Sequence, residues 1–226
     1  MTPFFQSVLT IIKKDMRLEQ RTGQTISVMV FFALAAVVTF SLALRGDLAA
    51  SRNVSGGLIW VTILLAGTLG LNRSFAIERE NSSMDGLLMA PVSRQAIYLG
   101  KVGSVLIFSL GLEVALAFMF FIFFNRPFLS PYVLGILTLG TIGFVAAGVL
   151  VTTMTIQTQA RDVLLPVLLL PLTLPAVLAA GSVTATLTAP ISWEWADISY
   201  AVALVVFYDI FMLLAGLFTF PFVVES

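Results

Sequence analysis

Two carboxylates raise the first chemical question in this 226-residue chain. Glu113 and Asp209 fall near the middles of long apolar runs, where an acid is expensive to keep and functional use is a reasonable expectation. Such groups can relay protons or line a polar path. The competing role is an acid hydrogen-bonded between helices, and the sequence leaves the two in balance, since no basic residue lies at comparable depth. An intramembrane hydrolase is a poorer reading, because two acids without a defined mutual geometry do not make a site. Cys and His are absent, which removes thiol catalysis, disulfides, zinc sites and the usual axial ligands of haem. Met29, Met119, Met154 and Met212 lie in apolar spans, where filling gaps is their expected job. No phosphate-cradling G-x-x-x-x-G-K-[ST] occurs, since Gly100-Lys101 is followed by Val102. The chain is thus expected to be non-catalytic, with no cofactor or metal of its own, and any nucleotide would sit on another subunit.

The elements that position these acids must cross a membrane. With 59% hydrophobic and 11% charged residues and a mean hydropathy of +1.03, the chain is far more apolar than a soluble domain. A span needs about 20 mostly apolar residues. Charge-poor stretches predict six, over residues 25–44, 56–72, 102–124, 132–155, 163–181 and 198–221, in one all-α domain covering 1–226. Pro166, Pro171 and Pro175 interrupt the fifth, where each removes a backbone donor and bends its helix. Ala66 with Gly70, Gly111 with Ala115 and Gly143 with Ala147 are small pairs at four-residue spacing, suited to close helix packing. Lys and Arg mark the retained side: nine lie in the N-terminal segment, the loop after the second span and the loop near 156–162, against Arg45, Arg52 and Arg126 on the other. Both termini are therefore expected in the cytoplasm, with Trp60, Trp193 and Trp195 near the outer interface. Residues 4–21 are expected to form an uncleaved helix lying in the interface, with Phe5, Val8, Leu9, Ile12 and Met16 on one face and Lys13, Arg17 and Gln20 on the other.

The segment 72–101 carries seven of the 24 charged residues. Within it, Ser82-Ser83-Met84-Asp85 precedes Leu87-Leu88-Met89, a capping-box pattern that starts a helix at about Ser83. Pro91 limits that helix to about two turns. Ser93 is then placed to cap a further helix running through Lys101 into the third span. A short apolar helix held by an elbow against the end of a membrane helix is suited to transmit a push from a docked partner, although a loop packing its leucines back on its own surface is the commoner arrangement.

The run Glu78-Arg79-Glu80, Ser83-Met84-Asp85, Leu87-Leu88, Pro91-Val92-Ser93-Arg94 and Leu99-Gly100-Lys101 resembles the loop of type 2 ABC transporter permeases, whose short helix docks into a cleft of the ATPase subunit. Within that superfamily the chain resembles the CcmB family, the permease component of the cytochrome c maturation haem exporter. The likeness rests on Gly57-Leu58-Ile59-Trp60-Val61, on Leu71 through Arg73 with Phe75 and Glu78, on Leu87-Leu88 with Pro91, and on Leu170-Pro171-Leu172-Thr173-Leu174-Pro175. Departures stand at Ser82, where the family often has Gly, and at Gly86, where a bulkier residue is usual. The resemblance implies a permease subunit of the bacterial inner membrane. It also implies an ATP-binding partner gripping Glu78, Arg79, Glu80, Ser83, Asp85, Leu87, Leu88 and Pro91, a second copy of the chain, a haem-handling membrane subunit and a periplasmic haem chaperone. Haem would be the pathway's substrate, either exported or released on its loaded chaperone, and the lack of His and Cys leans toward release. Lipid is a further expected partner, and nucleic acid is not. The alternative is a proton-coupled transporter or channel using Glu113 and Asp209.

Overall fold

A computed structural model describes residues 4–44, 48–80, 86–87, 89–155, 158, 160–190 and 192–225. These form seven long helices: α1 (Phe4–Thr22), α2 (Gln24–Ala43), α3 (Leu48–Glu80), α4 (Arg94–Phe124), α5 (Pro131–Thr155), α6 (Arg161–Thr188) and α7 (Trp195–Glu225). Six, α2 to α7, are long and apolar enough to cross a membrane, so the fold is that of an all-α integral membrane protein. No strand occurs among the described residues. Helix α5 is the hub and packs on α3, α4, α6 and α7, while α2 lies against α3 and α4, and α1 against α4.

Two expected boundaries move. The helix that carries the second span does not stop at residue 72 but continues through Glu80. Polarity alone does not stop a helix, and 72–80 contains no Pro or Gly and buries Phe75, Ile77 and Glu78. The loop proper shrinks accordingly to the residues between Glu80 and Arg94. The fifth span likewise runs past Gly181 to Thr188, as one helix through all three prolines. Near the second and third prolines, Thr173 Oγ1 donates to the Leu169 carbonyl at 2.9 Å and the Tyr208 hydroxyl to the Leu172 carbonyl at 3.2 Å. The Ser93 cap is formed, with its side chain accepting from the Ala96 N–H at 3.3 Å.

Trp60 faces into the bundle. It is 1% exposed, lies over Gly140 of α5 and donates from Nε1 to Thr184 Oγ1 of α6 at 3.0 Å, so the indole N–H finds its partner inside the bundle. Trp195 is exposed, and the Trp193 ring meets Tyr132 edge-on at 5.3 Å.

The chain turns from α1 into α2 at Gly23, whose φ of 60° is left-handed and suits glycine. That residue has no side chain with which to cap α2. Glu19 does so from the preceding helix, its Oε1 accepting the Ile26 N–H at 2.8 Å, which places a carboxylate at a helix N-terminus where the dipole favours it.

Candidate functional site

The site grows from the roots of the loop. Glu78 lies in the last turn of α3, Lys101 two turns into α4, and both side chains are 2% exposed. They form an ion pair that ties together the two helices from which the loop springs. Lys101 Nζ also donates to Asp15 Oδ2 of α1 at 2.9 Å, and Lys14 Nζ stands 3.1 Å from both Asp15 Oδ1 and Glu78 Oε1. Two ammoniums and two carboxylates therefore join three helices. Phe75 places its ring 5.9 Å below the Lys101 ammonium, a cation–π geometry that suits a desolvated lysine.

Helix α1 is seated at the same place by shape. A Cβ on Gly100 would fall 2.8 Å from Ile11, and one on Gly103 would fall 2.6 Å from Ile12. These two glycines make the notch on α4 in which α1 lies. The buried stripe of α1 is consequently Ser7, Ile11, Asp15 and Glu19, a third face beside the apolar and basic ones of its amphipathic pattern. Phe5 and Leu9 of that apolar face are exposed, as lipid-facing residues of an interfacial helix would be, and Lys13, Arg17 and Gln20 are exposed too.

Burial alone would raise the Asp15 carboxyl, but the Lys101 and Lys14 ammoniums outweigh it and hold the group below its ordinary value of 3.8. Burial alone would lower Lys14, but Glu78 and Asp15 beside it raise it above 10.5. A depressed acid gives stability that is present above its ordinary value and lost as pH falls through the folded value; a raised base gives stability that is present below its ordinary value and lost as pH rises through the folded one. The seating of α1 is therefore expected to hold through neutral pH and to loosen below 3.8 and above 10.5. Hydrogen exchange of residues 4–22, corrected for intrinsic rates, checks this, and protection unchanged into strong acid would contradict it.

The residues expected to meet an ATPase do not share one environment. Glu78 faces inward and can take part in coupling only through Lys101 and α1. Arg79 and Pro91 are exposed, whereas Leu87 is half-buried against the chain's own core. Ser82, Ser83, Asp85 and Leu88 lie outside the described residues, as does the side chain of Glu80. Gly86, Leu87 and Met89 are helical. Among the described residues of the loop the outward apolar one is Met89, 87% exposed, which the sequence placed in the short apolar helix without naming it as a contact residue. Asp15, Ile11 and Gly103 were also missed; an acid inside an amphipathic helix and a Gly-x-x-Gly step after the loop were the available signals.

The intramembrane acids are not brought together. Glu113 of α4 accepts a hydrogen bond from Thr141 of α5. Asp209 of α7 lies against Gly143 of α5, and neither of its oxygens has a hydrogen-bond partner among the described residues. At about 100° per residue, Thr141 and Gly143 point to nearly opposite sides of α5, which stands between the two acids.

Comparison with known proteins fits this architecture. The family profile described as CcmB protein matches residues 6–225. The chain belongs to the CcmB family. Relatives include heme exporter protein B of Rhodobacter capsulatus, 30% identical over 74% of this chain and 78% of that protein. Heme exporter protein B of Pseudomonas aeruginosa is 29% identical over 79% and 81%, and that of Paracoccus denitrificans 27% identical over 74% and 78%. Family membership thus covers both halves of the charge junction, α1 as well as the roots of the loop.

Proposed function

We propose that this CcmB-family chain is the membrane subunit of an ABC-type complex in haem delivery, coupling ATP hydrolysis on a separate subunit to haem export or to release of a haem-loaded chaperone. The observation that carries the reading is the loop between α3 and α4. Its roots are locked by a buried ion pair to each other and to α1, while Met89 stands exposed between them. A partner pressing there moves three helices together. ATP binding and hydrolysis belong to the partner, since the chain has no phosphate loop; the remaining partners are a second copy of the chain, a haem-handling membrane subunit and a chaperone on the far side. Both termini and the loop lie in the cytoplasm of a bacterial inner membrane, as the Lys and Arg distribution supports. With neither thiol nor imidazole to offer to iron, the chain is better suited to releasing a loaded chaperone than to ligating haem in transit. Proton-coupled carriage by Glu113 and Asp209 is the weaker reading, because α5 separates the acids.

Met89→Asp places a charge at the centre of the proposed contact. Loss of an apolar anchor of this kind costs about 2 kcal/mol or more, or roughly 30-fold in affinity. Affinity purification in mild detergent should recover an ATPase with the parent chain and lose it with the variant. Full ATPase recovery with Met89→Asp, or purification of the parent with no ATPase, would overturn the reading. Leu87→Asp is a poorer probe, since that side chain packs against the chain's own core.

A further inference from the structure

The angle between α1 and α2 leaves a cavity of about 330 Å³ against α4, lined by Gln20 of α1, by Met29 and Val30 of α2 and by Phe108, Gly111 and Leu112 of α4. It opens outward past Ile26 and Ile107, each 45% exposed. Gly111 is the telling residue. Glycine in a helix interior is unfavourable by about 1 kcal/mol against alanine, and such residues are usually explained by a neighbouring helix that needs the space. Here a Cβ would meet nothing within 4 Å, so the missing side chain deepens the cavity and makes room for no neighbour in the chain.

The polar residues lining the cavity are Glu19 and Gln20 of α1, and the basic residues Lys13 and Arg17 lie beside it, outside the lining. Glu19 lines it, but its Oε1 is engaged by the Ile26 N–H. Lys13, Arg17 and Gln20 recur at spacings of four and three, which places them on one face of α1. All three are exposed and Gln20 lines the cavity. An apolar slot beneath a cationic helix face fits a molecule with a hydrocarbon tail and an anionic head. Basic pockets among membrane helices on the cytoplasmic side have that preference.

We infer that the slot between α1, α2 and α4 binds one acyl chain of an anionic phospholipid, with Lys13, Arg17 and Gln20 holding its phosphate. The orientation rests on the cytoplasmic placement of α1 proposed above; the slot itself does not depend on any ATPase or haem partner. Bound there, the lipid fills the inner corner of the α1–α2 angle.

The test uses the full chain in nanodiscs with a phosphatidylglycerol carrying a photoactivatable group in its acyl chain, followed by peptide mapping. Labelling should concentrate on residues 26–30 and 107–112 above the level on the exposed face of α7 at 207–211. Gly111→Leu, whose Cβ meets nothing within 4 Å, should abolish the excess by filling the slot while leaving the α7 labelling unchanged. Arg17→Gln, a surface change, should weaken it about five-fold, the equivalent of about 1 kcal/mol per basic residue near an anionic surface. A phosphatidylcholine probe with the same chain should show a smaller excess. Labelling no higher than on α7, labelling that survives Gly111→Leu, or equal labelling by the choline lipid would each overturn the inference. Because the chain has no cysteine, Gly111→Cys adds an independent check: a disulfide between two copies at that position would place a second chain in the slot and likewise overturn it.

Discussion

Lys101→Met is expected to lower the chain's resistance to unfolding by about 3–5 kcal/mol, because it leaves two buried carboxylates without their shared cation. Lys101 is 2% exposed and bonded to Asp15 and Glu78, and the remaining cation, Lys14, is partly in solvent at 36% exposure. The effect belongs to the orphaned acids more than to any gain from the pair itself, since a buried ion pair replaced as a whole by neutral groups is often nearly neutral in stability. The triple variant Lys101→Met, Asp15→Asn, Glu78→Gln should therefore recover most of the loss. Denaturant titration in mixed micelles reads both. A single variant as stable as the parent, or a triple variant no better than the single, would show that the four groups are not energetically joined. Coupling gives a second readout: in the triple variant, where stability returns but the charges do not, a partner ATPase should bind the loop and hydrolyse ATP without driving transport.

Trp60→Ala is expected to cost about 3 kcal/mol, the low end of the range for removing a buried Trp. In water that range includes the transfer of apolar surface out of solvent, a term largely missing between helices surrounded by lipid. The cavity remains, and so does the loss of the Thr184 hydrogen bond. Phenylalanine at position 60 should restore most of the packing and leave the smaller deficit of the lost N–H donor. The same micelle titration checks both variants, and an alanine variant within about 1 kcal/mol of the parent would show that α3, α5 and α6 close around the gap.

The spans were legible because a run of some 20 apolar residues has few other uses. The Ser93 cap and the existence of α1 were legible for equally local reasons. Which side of a span faces inward was not. In a soluble helix the apolar stripe marks the core, but in lipid both faces are apolar, so Trp60 could not be separated by hydropathy from an interface anchor such as Trp195. The end of α3 was missed because the charges of 72–80 read as loop, when a tertiary partner was what made them helical: Glu78 is tolerable in a buried turn only because Lys101, 23 residues later, meets it. The same long-range pairing hid the seating of α1, whose buried face is chosen by Asp15 and two glycines on α4 and not by its own amphipathic pattern.

The junction of Lys14, Lys101, Asp15 and Glu78 carries two positive and two negative groups. A rigid unit of zero net charge does no electrical work when it shifts along the membrane normal, whereas each unbalanced elementary charge would exchange about 2.3 kcal/mol per 100 mV with the membrane potential. The four charges of the junction itself consequently cancel, and its shift as a unit neither draws energy from the membrane potential nor works against it.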